Sequence, residues 1–492
     1  MSPLSALTAL ARLRAVRDGV AQPVTTVRHC HLAPNPMVIV PLGLAGEAAA
    51  PLGAVVGTDP GHPRLLVVPQ PRDRDLRFSF AAELAEVLLP YIEGFGKTTE
   101  TVERRGGEPY ERCLEAPQIL VPNRPAAGFL GLLGRSTRFR RADGPHPVHP
   151  SVPLLGRWLT YFADRSQQPG SCLLLTATEA LSLHWATGQS GLEDANLAAL
   201  LGWIDPPPGT TGRRAAEEGE DPLLWPPAGP ATDPGFDNEV LGPAIRAYEE
   251  APTERAVERV AQALRTQLEP TWRLMWRAAE VLRALPEGAR VRDRWETDRG
   301  SFTRFAERIA EGGPPQARRD GAVGAAARLA GLERARTGYD VQRAYDDPLV
   351  MAEYRLSGEA FAGTVTAADP EHTEGEGRSR RPRPLITVRT ADPVRLAPGT
   401  TVGSPDRRGH AAEIVGASAG EITLKVVKGM GRGRSPAPGS VPEPGERVTY
   451  TSLTDEFQSS AALPDPEQTP WTHGGPPQEY VPGDEDAQEE WS

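Results

Sequence analysis

Lysine is almost missing from this 492-residue chain: Lys97, Lys425 and Lys428 stand against fifty-one arginines. Cysteine is as scarce, and Cys30, Cys113 and Cys172 are odd in number and far apart. No disulfide framework or zinc-ligand spacing follows from them. Long apolar runs are also absent. None approaches the roughly 20 residues of a spanning helix, which argues against a helical membrane protein. The first sixteen residues carry no cationic stretch ahead of a solid apolar one, so they make a poor secretory signal. Together with the unpaired cysteines, this points to a reducing, cytoplasmic setting.

Glycine and proline are plentiful, at 50 and 51 residues. That is close to the level at which a chain reads as part-disordered, but the glycines lack the period of three that collagen needs. The net charge of −11 is unevenly spread. Residues 455–492 hold ten acids and no Lys or Arg, which leaves the preceding 454 residues at −1. The acidity belongs to a tail. For most of the arginines the plain reading is a GC-rich coding sequence, although Arg is also the better phosphate fork.

The pattern predicts a multidomain α+β protein. Residues 1–204 read as an α/β domain of undetermined topology. Leu4 to Val16 have helical spacing, and buried strand runs follow at Met37–Leu42, Ala54–Val56, Leu65–Val68 and Gln118–Val121. Helices are expected at Ala81–Ile92 and Leu192–Trp203, with Trp158–Ala163 and Cys172–Ala186 helical or partly strand-like. Residues 205–239, rich in Pro and Gly, read as a linker or long loop. Residues 240–357 read as a helical, stalk-like region with apolar stripes, among them Trp272, Met275 and Trp276, with a break or kink expected at Pro270 and a break at Asp346-Asp347-Pro348. Between 358 and 455 the period becomes alternating. Five or six short strands in succession predict a small β-barrel. Residues 456–492 are Pro-rich and acidic, with isolated aromatics at Trp471, Tyr480 and Trp491, and are expected to be disordered. That tail either keeps the chain in solution or mimics a polyanion and competes for basic loops.

The fragments that resemble catalytic motifs are incomplete. Gly94-Phe95-Gly96-Lys97-Thr98 is half a phosphate loop, with Tyr91 where the first glycine belongs. Gly416-Ala-Ser-Ala-Gly420 matches a serine-hydrolase elbow, but it joins two strand runs as a hairpin turn does. His29-Cys30-His31 and His146-Pro-Val-His149 make a zinc site only if the fold brings Cys172 or Cys113 to them. Glu217-Glu218, Glu249-Glu250 and Asp346-Asp347 read as solvated faces or helix ends. No catalytic residue, metal ligand or cofactor is assigned. An enzyme site around His29, His31, His146 or Cys172 stays as an alternative.

One window stands out. Residues 378–434 hold twelve bases and four acids in an otherwise neutral body. The bases are Arg378, Arg380, Arg381, Arg383, Arg389, Arg395, Arg407, Arg408, Lys425, Lys428, Arg432 and Arg434. All but Arg389 and Arg395 are taken as candidate nucleic-acid contacts, because small barrels bind single strands through cationic loops. Phe361 and Tyr450 are the only large aromatics of the barrel, so backbone tracking is expected rather than base stacking. Solvated loops on a protein–protein scaffold are the competing reading.

The order of elements adds a resemblance. Val341-Gln-Arg-Ala-Tyr-Asp-Asp-Pro-Leu349 ends a long helix; Gly363-Thr-Val365, Arg383-Pro-Leu-Ile-Thr-Val388 and Pro444-Gly-Glu-Arg-Val-Thr-Tyr-Thr451 follow as barrel segments. Residues 320–455 thereby resemble the stalk and barrel ahead of the motor in nonsense-decay-type superfamily-1 helicases. The resemblance implies a barrel that touches nucleic acid. The motor's phosphate loop and Asp-Glu metal box do not follow here. It therefore also implies an accessory chain that does not hydrolyse ATP and works with a helicase-like ATPase on a separate chain.

Overall fold

The computed structural model describes residues 6–47, 50–103, 107–318, 320–376, 380–418, 420–431, 433 and 435–454. The chain is α+β. A mixed sheet is covered by helices on both faces, more helices follow, and a closed barrel ends the described chain. No helix among the described residues is long and apolar enough to cross a membrane. The expected disorder after 455 lies outside the described residues.

Five strands build the sheet: β1 (Met37–Gly43), β2 (Pro51–Gly57), β3 (Arg64–Val67), β4 (Ile119–Val121) and β5 (Leu174–Thr176), in the order β3-β2-β1-β4-β5. β1 runs parallel to β4, and β4 to β5, while β2 and β3 are antiparallel additions. Each central strand is apolar throughout because both faces are covered. Met37 and Ile39 of β1 face one core with Ala54 and Val56 of β2. Val38, Val40 and Leu42 face the other with Leu52 and Val55. The first core is closed by α1 (Arg74–Phe95), α2 (Arg124–Thr137) and α3 (Ser151–Ser166). The second is closed by α4 (Ala177–His184), α5 (Leu197–Ile204) and α6 (Glu254–Arg283). Asp73 and Asn123 cap α1 and α2, their side chains accepting from backbone N–H groups of the first turns.

Two expectations need correction here. The segment 240–357 is not a stalk throughout, because α6 packs on β1, β2 and β3 and fills the sheet's second core. Trp272 and Met275 are buried in it, and the helix runs unbroken through Pro270. Apolar stripes on both sides of that proline press on one surface, which holds the helix together despite the lost hydrogen bond. Nor is 205–239 a free linker. Gly212–Glu220 is a helix lying against Trp203 and Ala199, and the Pro230 carbonyl accepts from Gly43 N–H at 2.6 Å. Gly212, Gly219 and Pro230 are docked on the body, while Pro207, Pro208, Pro222 and Pro234 stay exposed.

Helix α7 (Val291–Ala310) places Trp295 and Phe302 in the first core. Helix α8 (Ala322–Asp346) ends at the expected Asp-Asp-Pro, where Asp347 caps α9 (Pro348–Ser357). Gly358, at φ 84°, stops α9 in the left-handed conformation that favours glycine.

The barrel follows at once. Its six strands are β6 (Ala360–Asp369), β7 (Leu385–Thr390), β8 (Thr401–Gly403), β9 (Ala411–Ser418), β10 (Glu421–Lys428) and β11 (Arg447–Thr451). They close in the order β6-β7-β10-β9-β8-β11, with antiparallel pairing throughout. Alternate residues fill the interior, among them Phe361, Val365, Ile386, Val388, Ile414, Leu424 and Tyr450. Position 363 must be glycine, since a Cβ there would stand 2.2 Å from the Arg389 carbonyl oxygen.

Candidate nucleic-acid interface

Between β6 and β7 the chain makes a small separate hairpin that pairs Thr373–Glu374 with Arg381–Pro382. The hairpin's base is fastened by Arg383 N–H donating to the His372 carbonyl and by the His372 ring at 2.7 Å from the Arg383 carbonyl. Opposite it, the loop between β10 and β11 folds back, with Ala437 N–H donating to Met430 O. The two enclose a cleft of about 1080 Å³ at one end of the barrel. Arg380 and Arg381 stand on the hairpin wall, with prolines on both walls and Glu371 and Glu443 among the lining residues. Segments some sixty positions apart in sequence are thereby brought to one place.

Of the ten candidate bases, Arg378, Arg432 and Arg434 lie outside the described residues. The others divide. Arg380 and Arg381 are exposed in the cleft, the former donating from Nε to Thr373 Oγ1 at 2.8 Å. Lys428 is exposed where β10 ends, and Arg383 is half-buried below the hairpin. Lys425 is only 16% exposed and is gripped by Glu374 at 3.1 Å and Glu413 at 3.2 Å. Hydrogen bonds to those two carboxylates raise its pKa. Arg407 is 25% exposed, pairs with Glu446 at 2.6 Å and donates to the Gly439 carbonyl, which fixes the loop forming the second wall. Arg408 reaches across to Asp293 on α7 at 3.0 Å. Lys425, Arg407 and Arg408 are thus engaged with protein carboxylates.

The basic window is also less basic in three dimensions. Asp369, Glu371, Glu374 and Glu376 stand just ahead of residue 378, so extending the count to 369 halves the excess from +8 to +4. The hairpin folds that acidic arm directly against Arg380 and Arg381. The glycines at 375 and 377 were the available sign of a turn there. Phe361 and Tyr450 are fully buried, so neither can stack on a base.

The second candidate region has a different character. His31 and Cys172 do meet, the His31 backbone N–H donating to Cys172 Sγ at 3.2 Å, but the His31 ring stacks on Trp295 and the His29 ring lies between Asp347 and His184. His146 and His149 contact other elements: Arg74 donates to the His146 carbonyl, and His149 faces Ser151 at the start of α3. Among the described residues no group of three His, Cys, Asp or Glu side chains is placed to hold a metal. Burial pushes the Cys30 thiol up to about 12 and raises Cys172 well above its ordinary value, which disfavours either thiolate as a nucleophile.

What surrounds these residues is a buried polar junction. Asp347 accepts from Thr26 N–H, the Thr26 hydroxyl and Leu349 N–H, and lies 3.4 Å from His29 Nε2. His184 Nδ1–H donates to Ala180 O at 2.6 Å, and its Nε2 accepts from His29 N–H at 2.9 Å. Asp346 takes Arg290, and Asp298 takes Arg165, the Ser171 hydroxyl and Cys172 N–H. The Asp346-Asp347 pair does stand at a helix end, as one of the two readings had it, but it is no solvated face, since both carboxylates are out of water. Their partners come from positions 26 and 290, and no local sequence signal reports such contacts.

No family model matches this sequence, and no curated protein or solved structure is detectably similar to it.

Proposed function

We propose that this chain is a non-catalytic accessory protein that contacts single-stranded nucleic acid through the barrel-end cleft, beside an ATPase motor carried on a separate chain. The observation that carries the reading is the placement of Arg380 and Arg381 on one wall of a cleft of about 1080 Å³, with Lys428 at the adjoining strand end. Guanidinium groups so placed neutralise backbone phosphates, and without exposed rings the contact is indifferent to sequence. The ATPase part of the reading rests on the order of helix and barrel alone.

The ion pairs of Lys425, Arg389 and Arg408 favour a second reading, a protein–protein scaffold in which the arginines serve the fold. Fluorescence anisotropy of a labelled oligonucleotide of about 12 nucleotides, DNA or RNA, separates the two. For nucleic-acid contact, binding weakens between about 50 and 200 mM salt, with a log–log slope near −1.4 for two phosphates. Arg380→Glu combined with Arg381→Glu abolishes it, while Lys425→Gln leaves it in place. Absence of binding at low salt to both oligonucleotides leaves the scaffold. Adding the chain to a superfamily-1 motor that lacks a barrel tests the ATPase clause: nucleic-acid-stimulated hydrolysis rises if it holds.

A further inference from the structure

Six of the sixteen described residues that line the cleft are proline: Pro370 and Pro382 on one side, Pro436, Pro438, Pro442 and Pro444 on the other. Proline rings offer apolar C–H surface and no N–H donor. A ligand for such walls brings flat apolar rings, and for Arg380 and Arg381 it brings anions. Glu443 repels anions from the second wall, while Glu371 shares the hairpin wall with Arg380 and Arg381, so the favourable contacts for anions are those two guanidinium groups.

The chain carries a segment of that chemistry. Residues 479–491 read Glu-Tyr-Val-Pro-Gly-Asp-Glu-Asp-Ala-Gln-Glu-Glu-Trp, six carboxylates of which five lie between Tyr480 and Trp491, with no base. Carboxylates stand in for phosphates, and aromatic rings for bases. We propose that residues 479–491 seat in the barrel-end cleft of their own molecule, where they exclude nucleic acid. The exclusion rests on the reading proposed above; the seating does not.

Reach is sufficient. Thr451 pairs with Ala360 at one end of β6, whereas Ala368 lines the cleft near the other. Eight residues of strand separate them, about 26 Å. From Thr454 to Glu479 there are twenty-five residues, which span up to about 85 Å when extended. A ligand tethered within reach competes at high effective concentration, so modest contacts are enough to keep it seated.

The scarcity of lysine makes the test specific. A zero-length carbodiimide joins lysine amines to carboxylates, and only Lys97, Lys425 and Lys428 can react as lysines. In the full chain Lys425 should couple to Glu374 and Glu413, which it already touches and which serve as the internal control. The proposal expects Lys428 coupled to Asp484–Asp486 or Glu489–Glu490, at a yield unchanged by dilution. Arg380→Glu with Arg381→Glu should lower that yield about fivefold, with the control links intact. Control links without tail links, or tail links spread evenly over Lys97, overturn the proposal. Links that vanish on dilution and appear in cross-linked dimers overturn the same-molecule claim. On the nucleic-acid side, Tyr480→Ala with Trp491→Ala should raise oligonucleotide affinity several-fold. Should neither form bind an oligonucleotide, the nucleic-acid reading fails, while the cross-links still decide the seating.

Discussion

In the sheet body, Asp298, Asp346 and Asp347 are withdrawn from water, and hydrogen-bond donors meet each carboxylate. In the barrel, Arg389 and Arg408 lie at the rim, and the pairs they make are open to solvent. Similar residue types therefore do opposite work. A buried pair is costly to break because it strands its partner, while an exposed pair is screened and loses entropy on forming. The body's charges fix how residues 26–31, α7 and the α8–α9 corner fit together. In the barrel, the charge that stands open to a ligand is that of Arg380 and Arg381 in the cleft.

Asp298 gives the sharpest contrast. Asp298→Ala leaves the Arg165 guanidinium, the Ser171 hydroxyl and Cys172 N–H without their acceptor. The expected loss is about 3–5 kcal/mol, read as a lower urea midpoint at unchanged slope. Asp298→Asn keeps an acceptor and should cost less. A loss below about 1 kcal/mol for the alanine variant would put this carboxylate in the same class as the rim pairs and end the distinction.

Acid tests the body a second way. The neutral state of His184 is set by its partners, since Nδ1–H donates to Ala180 while Nε2 accepts from His29 N–H. A proton on Nε2 breaks that second bond, and burial holds the ring's pKa down at about 4, against 6.5 unfolded. Below pH 6.5 the unfolded chain binds this proton and the folded chain does not, so stability present above 6.5 drains away towards pH 4. The contribution is about 3 kcal/mol over that window. In the barrel, burial lowers His410 to a similar value. Replacing His184 by Gln should flatten the pH dependence of the urea midpoint, and His410→Gln should flatten it separately. A slope unaltered by either change would place the acid response elsewhere.

The parts of this fold that were legible share a cause. Met37–Leu42 and Gln118–Val121 announced buried strands because both sheet faces are covered, and the barrel announced itself by alternation at Phe361–Thr366 and Glu421–Val427. Thr401–Gly403 was missed because three residues carry no period. Residues 205–239 looked like a linker because composition reports backbone stiffness and says nothing of what the prolines touch. At the candidate site, Arg380 and Arg381 were legible as cations. The acids at 369–376 were in plain view, yet only the hairpin shows that they belong to the same surface. Contacts over 321 positions, as between Thr26 and Asp347, leave no local trace.

The smallest expected effect separates the cleft from net charge. Arg389 pairs with Glu421 at 3.0 Å, and its side chain is 68% exposed. It stands opposite Thr364, whereas the cleft begins where Leu385 meets Asp369, four residues along the strand or about 13 Å away. Arg389→Ala should lower stability by less than about 1 kcal/mol, since solvent replaces what the pair provides. If the cleft is the contact, oligonucleotide affinity and its salt slope stay as they were. If affinity instead follows the sum of charge over residues 378–434, losing this base lowers the slope by about 0.7, as losing Arg380 would. Equal effects at the two positions would make the rim, and not the cleft, the surface that nucleic acid meets.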